Sequence, residues 1–130
     1  MSIESAVRTM LTGYGSLTVP DDRITHGYRL QSSALPAITF ELDQTQYESI
    51  ATNSDPLQSA TVELRLIANT SAEALSYETA IRGAIRTGTF NSIVFRAVVL
   101  QGRQLESPVV ADGDEAQPAQ LMFRFDVYYR

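Results

Sequence analysis

Few residues in this sequence could carry out nucleophilic chemistry. His26 is the only histidine and the chain has no cysteine, so His26 would have to be the base of any Ser-His-Asp or Ser-His-Glu device. It lies beside Gly27 in a half-apolar stretch, where an imidazole is more often a partly buried or interface residue. A zinc site would need several histidine or cysteine ligands. The sequence therefore argues against catalysis at His26 and against zinc.

The acidic run Asp112-Gly113-Asp114-Glu115 contains carboxylates of the kind that bind calcium. It lacks the alternating acidic positions and the bidentate glutamate of an EF-hand loop, so a solvated acidic turn or an acidic surface facing a partner is favoured. Gly13-Tyr14-Gly15 follows a predicted helix and does not open one after a strand, so it cannot offer helix amides to a phosphate. No carboxylate pair is singled out for glycoside chemistry. We expect a protein that is not an enzyme and has no cofactor or metal.

Charge and composition narrow the classes of partner. All ten basic residues are arginine, against fifteen acids, which makes the net charge −5 and the isoelectric point about 4.7. Proteins that grip nucleic acid through phosphates usually carry clustered positive charge, so the charge balance argues against tight DNA binding. No stretch has the about 20 apolar residues of a membrane helix, and the first residues do not resemble a signal peptide. We expect synthesis in the cytoplasm and no membrane anchor.

The length of 130 residues and the hydrophobic patterns predict one domain, residues 1–130. Ser2 is predicted to cap a helix that ends at Gly13, with the glycines of TGYGS at positive φ. Strands are predicted in RITHGYRL, with Gly27 as a bulge, in ITFEL after Pro36, and in TVELRLIAN. The polar residues 44–56 either prolong a hairpin or form a loop.

A second helix is predicted from a capping box at Thr70-Ser71-Ala72-Glu73 to Gly88. The apolar run IVFRAVVL (93–100) predicts a central strand covered on both faces, inside the sheet or inside an interface. Residues 103–120 are read as a turn or long loop. The predicted fold is α+β, in the order α-β-β-β-α-β-β, with two helices on one face of an antiparallel sheet of about five strands.

The last ten residues, LMFRFDVYYR, have the clearest strand pattern in the chain. Leu121, Phe123, Phe125, Val127 and Tyr129 alternate with Met122, Arg124, Asp126, Tyr128 and Arg130. Alternation over ten positions places the first set on one face of the strand and the second set on the other. We expect the segment to pair with other strands of the sheet. Its second face mixes charged and apolar side chains, which burial in a core does not explain.

Several stretches together resemble the tail-terminator family of long-tailed double-stranded DNA bacteriophages, also called tail-completion or tail-to-head joining proteins. They are SIESAVRTML, RITHGYRL, LPAITFEL, ATVELRLIANTSAEALSYETAIRGAI and the closing VVLQGRQLESPVVADGDEAQPAQLMFRFDVYYR. They match the family in the order of elements and in side-chain type over nearly the whole chain. Residues 44–59 depart most from the family pattern.

The resemblance implies a structural virion protein that forms a hexameric ring at the head-proximal end of the tail tube. Such a ring ends tube growth and lets DNA pass without specific binding. Its implied partners are further copies of itself, the major tail tube protein, a head-completion or stopper protein and, in a contractile tail, the sheath protein. The implied location is the tail or neck of the virion, assembled in the host cytoplasm.

The residues themselves also favour an interface. Strands with apolar side chains on both faces have more apolar surface and more strand edge than two short helices can cover. We therefore hypothesise a subunit interface, whose members are Arg96, Met122, Arg124, Tyr128 and Arg130. The acidic residues Asp112, Asp114 and Glu115 are hypothesised to repel DNA at the lumen or to contact a partner. Two alternatives stay open. One is a neck connector or stopper of the same particle, and the other is a small hydrolase or ligand-binding domain.

Overall fold

The computed structural model describes residues 2–27, 34–48, 57–106 and 118–129. This part of the chain has an α+β fold, in which three helices and one face of a six-stranded sheet enclose a single core. The elements follow one another as α1 (Ile3–Thr12), β1 (Ile24–His26), β2 (Ala37–Glu48), β3 (Leu57–Ala68), α2 (Ser71–Ser76), α3 (Glu78–Ala84), β4 (Gly88–Phe90), β5 (Ile93–Glu106) and β6 (Ala119–Tyr129).

The sheet is mixed, with the strand order β1-β2-β3-β6-β5-β4. Strand β1 runs parallel to β2, and every other neighbouring pair is antiparallel. The prediction of about five antiparallel strands was therefore wrong in number and in one direction. The additional strand is β4, which a two-residue turn joins to β5. Asn91 and Ser92 in that turn have φ of 53° and 70°, as a type I′ hairpin turn requires, but the pair lacks the Asn-Gly signature that would have revealed it.

The core lies between the helices and the face of the sheet that carries the first set of β6 side chains. The predicted alternation of β6 is confirmed, since Leu121, Phe123, Phe125 and Val127 are all fully buried. Strand β6 is also central, because β3 and β5 flank it on its two sides. Val62, Leu64 and Leu66 of β3 are likewise fully buried beside them, as their spacing predicted.

Helix α1 begins and ends where the sequence predicted. The Ser2 hydroxyl accepts a hydrogen bond from the Ser5 amide at 3.2 Å, and the helix gives way to Gly13. Gly13 nevertheless has φ of −82°, and Gly15 is not among the glycines with positive φ either, so the prediction of a positive φ at these two glycines was wrong. The helix also fastens β1 at one corner of the sheet, because the Arg8 guanidinium donates to the carbonyl oxygens of Ile24 and Asp21 at 3.2 and 2.8 Å.

The second predicted helix is two short helices, α2 and α3, separated by Tyr77. The capping threonine is confirmed, because the Thr70 hydroxyl accepts from the Glu73 amide at 3.1 Å. At the end of α2, the Ser76 hydroxyl donates to the Glu73 carbonyl oxygen at 2.5 Å. Such local side-chain bonds compete with the helical pattern. The prediction that Gly88 closes this helix was wrong, since α3 ends at Ala84 and Gly88 starts β4.

Strand β5 differs most from its prediction. It runs on to Glu106, six residues beyond the predicted end at Leu100, and most of its side chains are half-buried or exposed. Only Phe95 is buried, so the prediction of a central strand covered within the sheet was wrong. Strand β5 lies near the end of the sheet, where β4 pairs only with Ile93–Phe95. The alternative prediction, that this strand is covered inside an interface, stays a prediction.

Strands β2 and β3 form a long hairpin. Strand β2 begins just after Pro36, as predicted, and extends through Gln44 to Glu48. Of the two alternatives for the polar stretch, the longer hairpin is the one observed, as far as residue 48. In the predicted strand RITHGYRL, β1 covers Ile24–His26 and is followed by Gly27 at φ of 88°. Residues 28–30 of that prediction lie outside the described residues.

Candidate assembly surface

One face of the sheet carries no described helix, and we call it the open face. Its side chains on the two central strands include Thr61, Glu63 and Arg65 of β3 and Met122, Arg124, Asp126 and Tyr128 of β6. All of them are half-buried except Arg124, which is exposed. The face therefore mixes charges with a thioether and a phenol, which distinguishes it from the wholly apolar face opposite.

Asp126 joins three strands across the open face. Its two carboxylate oxygens accept hydrogen bonds from the Thr61 hydroxyl at 2.8 Å and from the Gln101 amide at 2.7 Å. Gln101 can reach it because it lies in an irregularity of the β5–β6 register between Leu100 and Gly102. An extra residue at such a bulge redirects side chains. This part of the face is consequently held in one arrangement before any partner binds.

Arg65 organises the neighbouring part of the open face. Its guanidinium donates to Glu63 at 2.7 Å and to the Gln120 side chain at 3.1 Å. Glu63 also stands opposite Arg124 in the pairing of β3 with β6, and opposite Glu41 in the pairing with β2. Opposite charges thus face each other on one side and like charges on the other, and the second arrangement disfavours the isolated sheet.

A shallow hollow of about 280 Å³ lies where β5 and β6 meet. It is lined by Gly102, Arg103, Gln104, Met122 and Arg124. A methyl group built on Gly102 would meet no atom within 4 Å, so the glycine leaves open space there. The hollow is slightly smaller than the roughly 300–1,000 Å³ of drug-sized ligand sites. Its size suits one or two side chains of a partner.

The outer edge of β5, residues 97–106, is the second feature of this surface. No described strand pairs with that edge, since β4 reaches only Phe95. Val99 and Leu100 lie on it with 45% and 38% of their surface exposed. Together with Leu75 they are the large hydrophobic residues most exposed in the described part of the chain. An apolar strand edge in solvent is a template for pairing with another strand.

The structure brings some of the predicted interface residues together. Met122 and Arg124 lie side by side around the hollow. Tyr128 is on the same face, four residues after Arg124. At a rise of about 3.3 Å per strand residue, it lies about 13 Å further along β6 than Arg124. Arg96 is exposed at a second irregularity of β5, which faces Tyr128 and Tyr129. Arg130 lies outside the described residues.

The predicted acidic loop cannot be placed. Asp112, Asp114 and Glu115 all lie outside the described residues, and of the predicted loop only residues 103–106 and 118–120 are described. Those flanking residues belong largely to β5 and β6 and not to a loop. His26 is exposed, and its ring lies 5.3 Å from that of Phe40. Among the described residues no group of three acidic or histidine side chains is close enough to hold a metal ion.

Val99 and Leu100 belong to the strand 93–100 that the sequence placed inside the sheet or an interface, but sequence reasoning missed Gln101 and Gln104 as members of this surface. Their signal was Gly102, because a glycine inside a strand pattern often marks a bulge and not an end. Reading through that glycine would have extended β5 to Glu106.

No family model matches this chain, and no curated protein matches its sequence. In the described residues, no helix has the length and apolar character needed to cross a membrane.

Proposed function

We propose that this chain is a non-enzymatic structural protein of a phage tail. In this proposal it assembles as a hexameric ring at the head-proximal end of the tail tube, where it ends tube growth and joins the tail to the head-completion proteins. The observation that carries the proposal is the pair of uncovered surfaces, the open face and the outer edge of β5. Both are ordered parts of a sheet, and both expose groups that a neighbouring subunit would cover.

The residue types of the open face support an interface. Tyrosine, methionine and arginine are enriched where proteins meet, because they combine apolar area with a polar group. Tyr128, Met122 and Arg124 supply these three types on one strand. The strand that carries them is central and paired on both sides, so it presents them rigidly and loses little entropy on association.

A contact between two different patches favours a ring over a closed dimer. When the outer edge of β5 meets a different patch of the neighbouring subunit, the contact is heterologous. Repetition of such a contact closes into a ring when the rotation between neighbours allows it. A central opening would then carry the DNA.

The acidic balance supports passage of DNA without binding. A net charge of −5 repels phosphates, most strongly within the about 8–10 Å over which charges act at physiological salt. We assign the loop that contains Asp112, Asp114 and Glu115 to the lumen or to a partner contact. The proposed partners are the major tail tube protein on one side, the head-completion protein on the other, and the sheath protein in a contractile tail.

The oligomeric state tests this proposal. We expect light scattering of the wild-type protein alone to give a mass about six times the 14.3 kDa of one chain. Where the ring forms only on the tube, six chains are expected to co-sediment with each purified tail tube. Because Arg124 lines the hollow on the open face, Arg124→Glu is expected to reduce assembly while circular dichroism stays unchanged. Arg23→Glu makes the same charge change on the turn Asp21–Arg23 before β1 and is expected to assemble normally.

A wild-type protein that stays monomeric both alone and on tubes would refute the ring. Rings of Arg124→Glu as abundant as those of the wild type would remove Arg124 from the interface. A small hydrolase or ligand-binding domain predicts a monomer or dimer with a concave pocket. A neck connector predicts a ring that binds the portal side and leaves growing tubes unaffected, so adding the protein to tube subunits and measuring tube length separates it from a terminator.

A further inference from the structure

The two ends of the sheet are each covered over only part of their length. Strand β1 pairs with Ile38–Phe40 of β2, and β4 pairs with Ile93–Phe95 of β5. The rest of β2, residues 41–48, and the rest of β5, residues 97–106, have no described strand on their outer side. Each of these two uncovered edges is long enough for about eight cross-strand pairs.

The two covered parts lie at opposite corners of the sheet. Across the sheet, the registers place Ile38 of β2 level with Leu66, Leu121 and Leu105, so β1 covers the end of the β2 edge that is level with Leu105. They place Tyr47 level with Gln58, Tyr129 and Phe95, so β4 covers the opposite end on the β5 edge. The uncovered edges are thus offset along the strand direction as well as across the sheet. Joining two copies through them would shift each copy along the strands relative to its neighbour.

The two uncovered edges differ in charge. Residues 41–48, ELDQTQYE, contain three acidic residues and no basic one. Residues 97–106, AVVLQGRQLE, contain one arginine and one glutamate, so their net charge is zero. Pairing β2 with β2 would bring acids against acids, which disfavours two-fold pairing through that edge. Pairing β5 with β2 of another copy avoids this repulsion, so the charges favour a contact between the two different edges.

We infer that the uncovered edge of β5, residues 97–106, pairs with the uncovered edge of β2, residues 41–48, in a second copy of this chain. The inference rests on the proposed function, since it names the contact through which the ring forms. The contact extends the sheet from copy to copy and satisfies backbone groups that β6 and β3 leave on the outer sides. It also covers Val99 and Leu100, which are 45% and 38% exposed in the single chain.

Cross-linking tests the contact directly because the chain has no cysteine. Two single variants, Gln104→Cys and Glu41→Cys, place one exposed thiol on each edge. Strand β5 runs antiparallel to β2 in the sheet, so the inferred contact between like-oriented copies brings these two positions close together. A mixture of the two variants, treated with bismaleimides of several lengths, is expected to form covalent dimers, whereas each variant alone is expected to form few. The double variant is expected to give a ladder of products that ends at the size of the ring. Cross-linking of Gln104→Cys to itself as strong as in the mixture would overturn the inference in favour of a two-fold contact.

A charge on the edge provides the second test. Lysine on an edge strand opposes pairing with another strand, so Val99→Lys is expected to raise the concentration for half-assembly at least about tenfold, the size of a moderate interface defect. Thr79→Lys adds the same charge to an exposed position of α3 and is expected to assemble like the wild type. Circular dichroism of both variants verifies that the fold is retained.

The outcomes separate this inference from the proposed function. If the wild type forms rings and Val99→Lys forms them equally well, the edge pairing is wrong while the ring stands. If the mixed cysteine variants form no cross-link in a ring of normal mass, the same conclusion holds. A wild type that forms no ring alone or on tubes refutes the proposed function and this inference together.

Discussion

Arg86 is predicted to be the most important arginine for the stability of the isolated domain. Its guanidinium donates hydrogen bonds to the carbonyl oxygens of Met10 and Ala84 at 3.0 and 2.9 Å. These carbonyls belong to the last turns of α1 and α3, whose negative dipole ends attract a cation. The guanidinium also lies 5.1 Å from the centre of the Tyr14 ring and 5.0 Å from that of Phe90. One side chain therefore connects two helices, the loop after α1 and strand β4.

The loss on replacing Arg86 can be estimated from these contacts. A hydrogen bond from a charged group contributes about 1.5–3 kcal/mol, and a partly exposed cation–π contact about 0.5–1 kcal/mol. The contacts share one group and are not additive, and methionine keeps the apolar part of the side chain. We expect Arg86→Met to lower the free energy of unfolding by about 3 kcal/mol, which corresponds to about 10 °C in Tm for a domain of this size. Arg86→Lys keeps the charge but loses the planar fork, so an intermediate loss is expected.

Urea unfolding followed by circular dichroism measures these losses, with an unchanged slope showing that only stability has changed. The control is Arg82→Met, near the same end of α3. Arg82 is exposed, lies 4.0 Å from Glu78, and lies 5.7 Å from the centre of the Phe123 ring. Exposed contacts of this kind contribute about 1 kcal/mol or less. Equal losses for the Arg82 and Arg86 variants would refute the reasoning, because the helix-end carbonyls would then contribute nothing measurable.

Two further predictions concern backbone positions and use the same unfolding measurement. Gly83→Ala is expected to destabilise the protein by about 1–3 kcal/mol by overpacking, because the added Cβ would lie only 2.8 Å from Cζ of Tyr14. The same change normally stabilises a helix by about 1 kcal/mol, so a gain in stability would contradict that close packing. Ser92→Gly is expected to stabilise the protein by about 0.5–1 kcal/mol, because φ of 70° favours glycine. Ser92→Ala, which keeps the strain, should bring no such gain, and equal effects of the two changes would show that the turn is not strained.

The sequence was sufficient where a local rule decides the structure. The hydroxyls of Ser2 and Thr70 cap helices because a hydroxyl next to free amides is a local arrangement. The alternation of β6 predicted which side chains are buried, since a strand in a sheet with one covered face can bury only every second residue. For the same reason, Met122, Arg124 and Tyr128 were placed correctly on one shared face.

Sequence could not decide which strand lies at the edge. The apolar run 93–100 has the composition of a buried strand, yet β5 is exposed over much of its length because β4 covers only three of its residues. The composition of a segment shows how apolar it is, whereas the elements that cover it come from distant parts of the chain. For this reason the sequence predicted the assembly surface only in part. The alternation of β6 predicted the open face, but the part of the β5 edge beyond Leu100 was missed.

Sequence by itself therefore determined the α+β class, the starts of α1 and α2 and the two faces of the central strand, because spacing and capping act between residues close in the chain. Only the tertiary structure decided the strand order, the parallel pairing of β1 and the position of Arg86 between two helix ends. Those features join residues such as Met10 and Arg86, 76 positions apart. Contacts at that distance depend on how whole elements pack, and no short pattern encodes them.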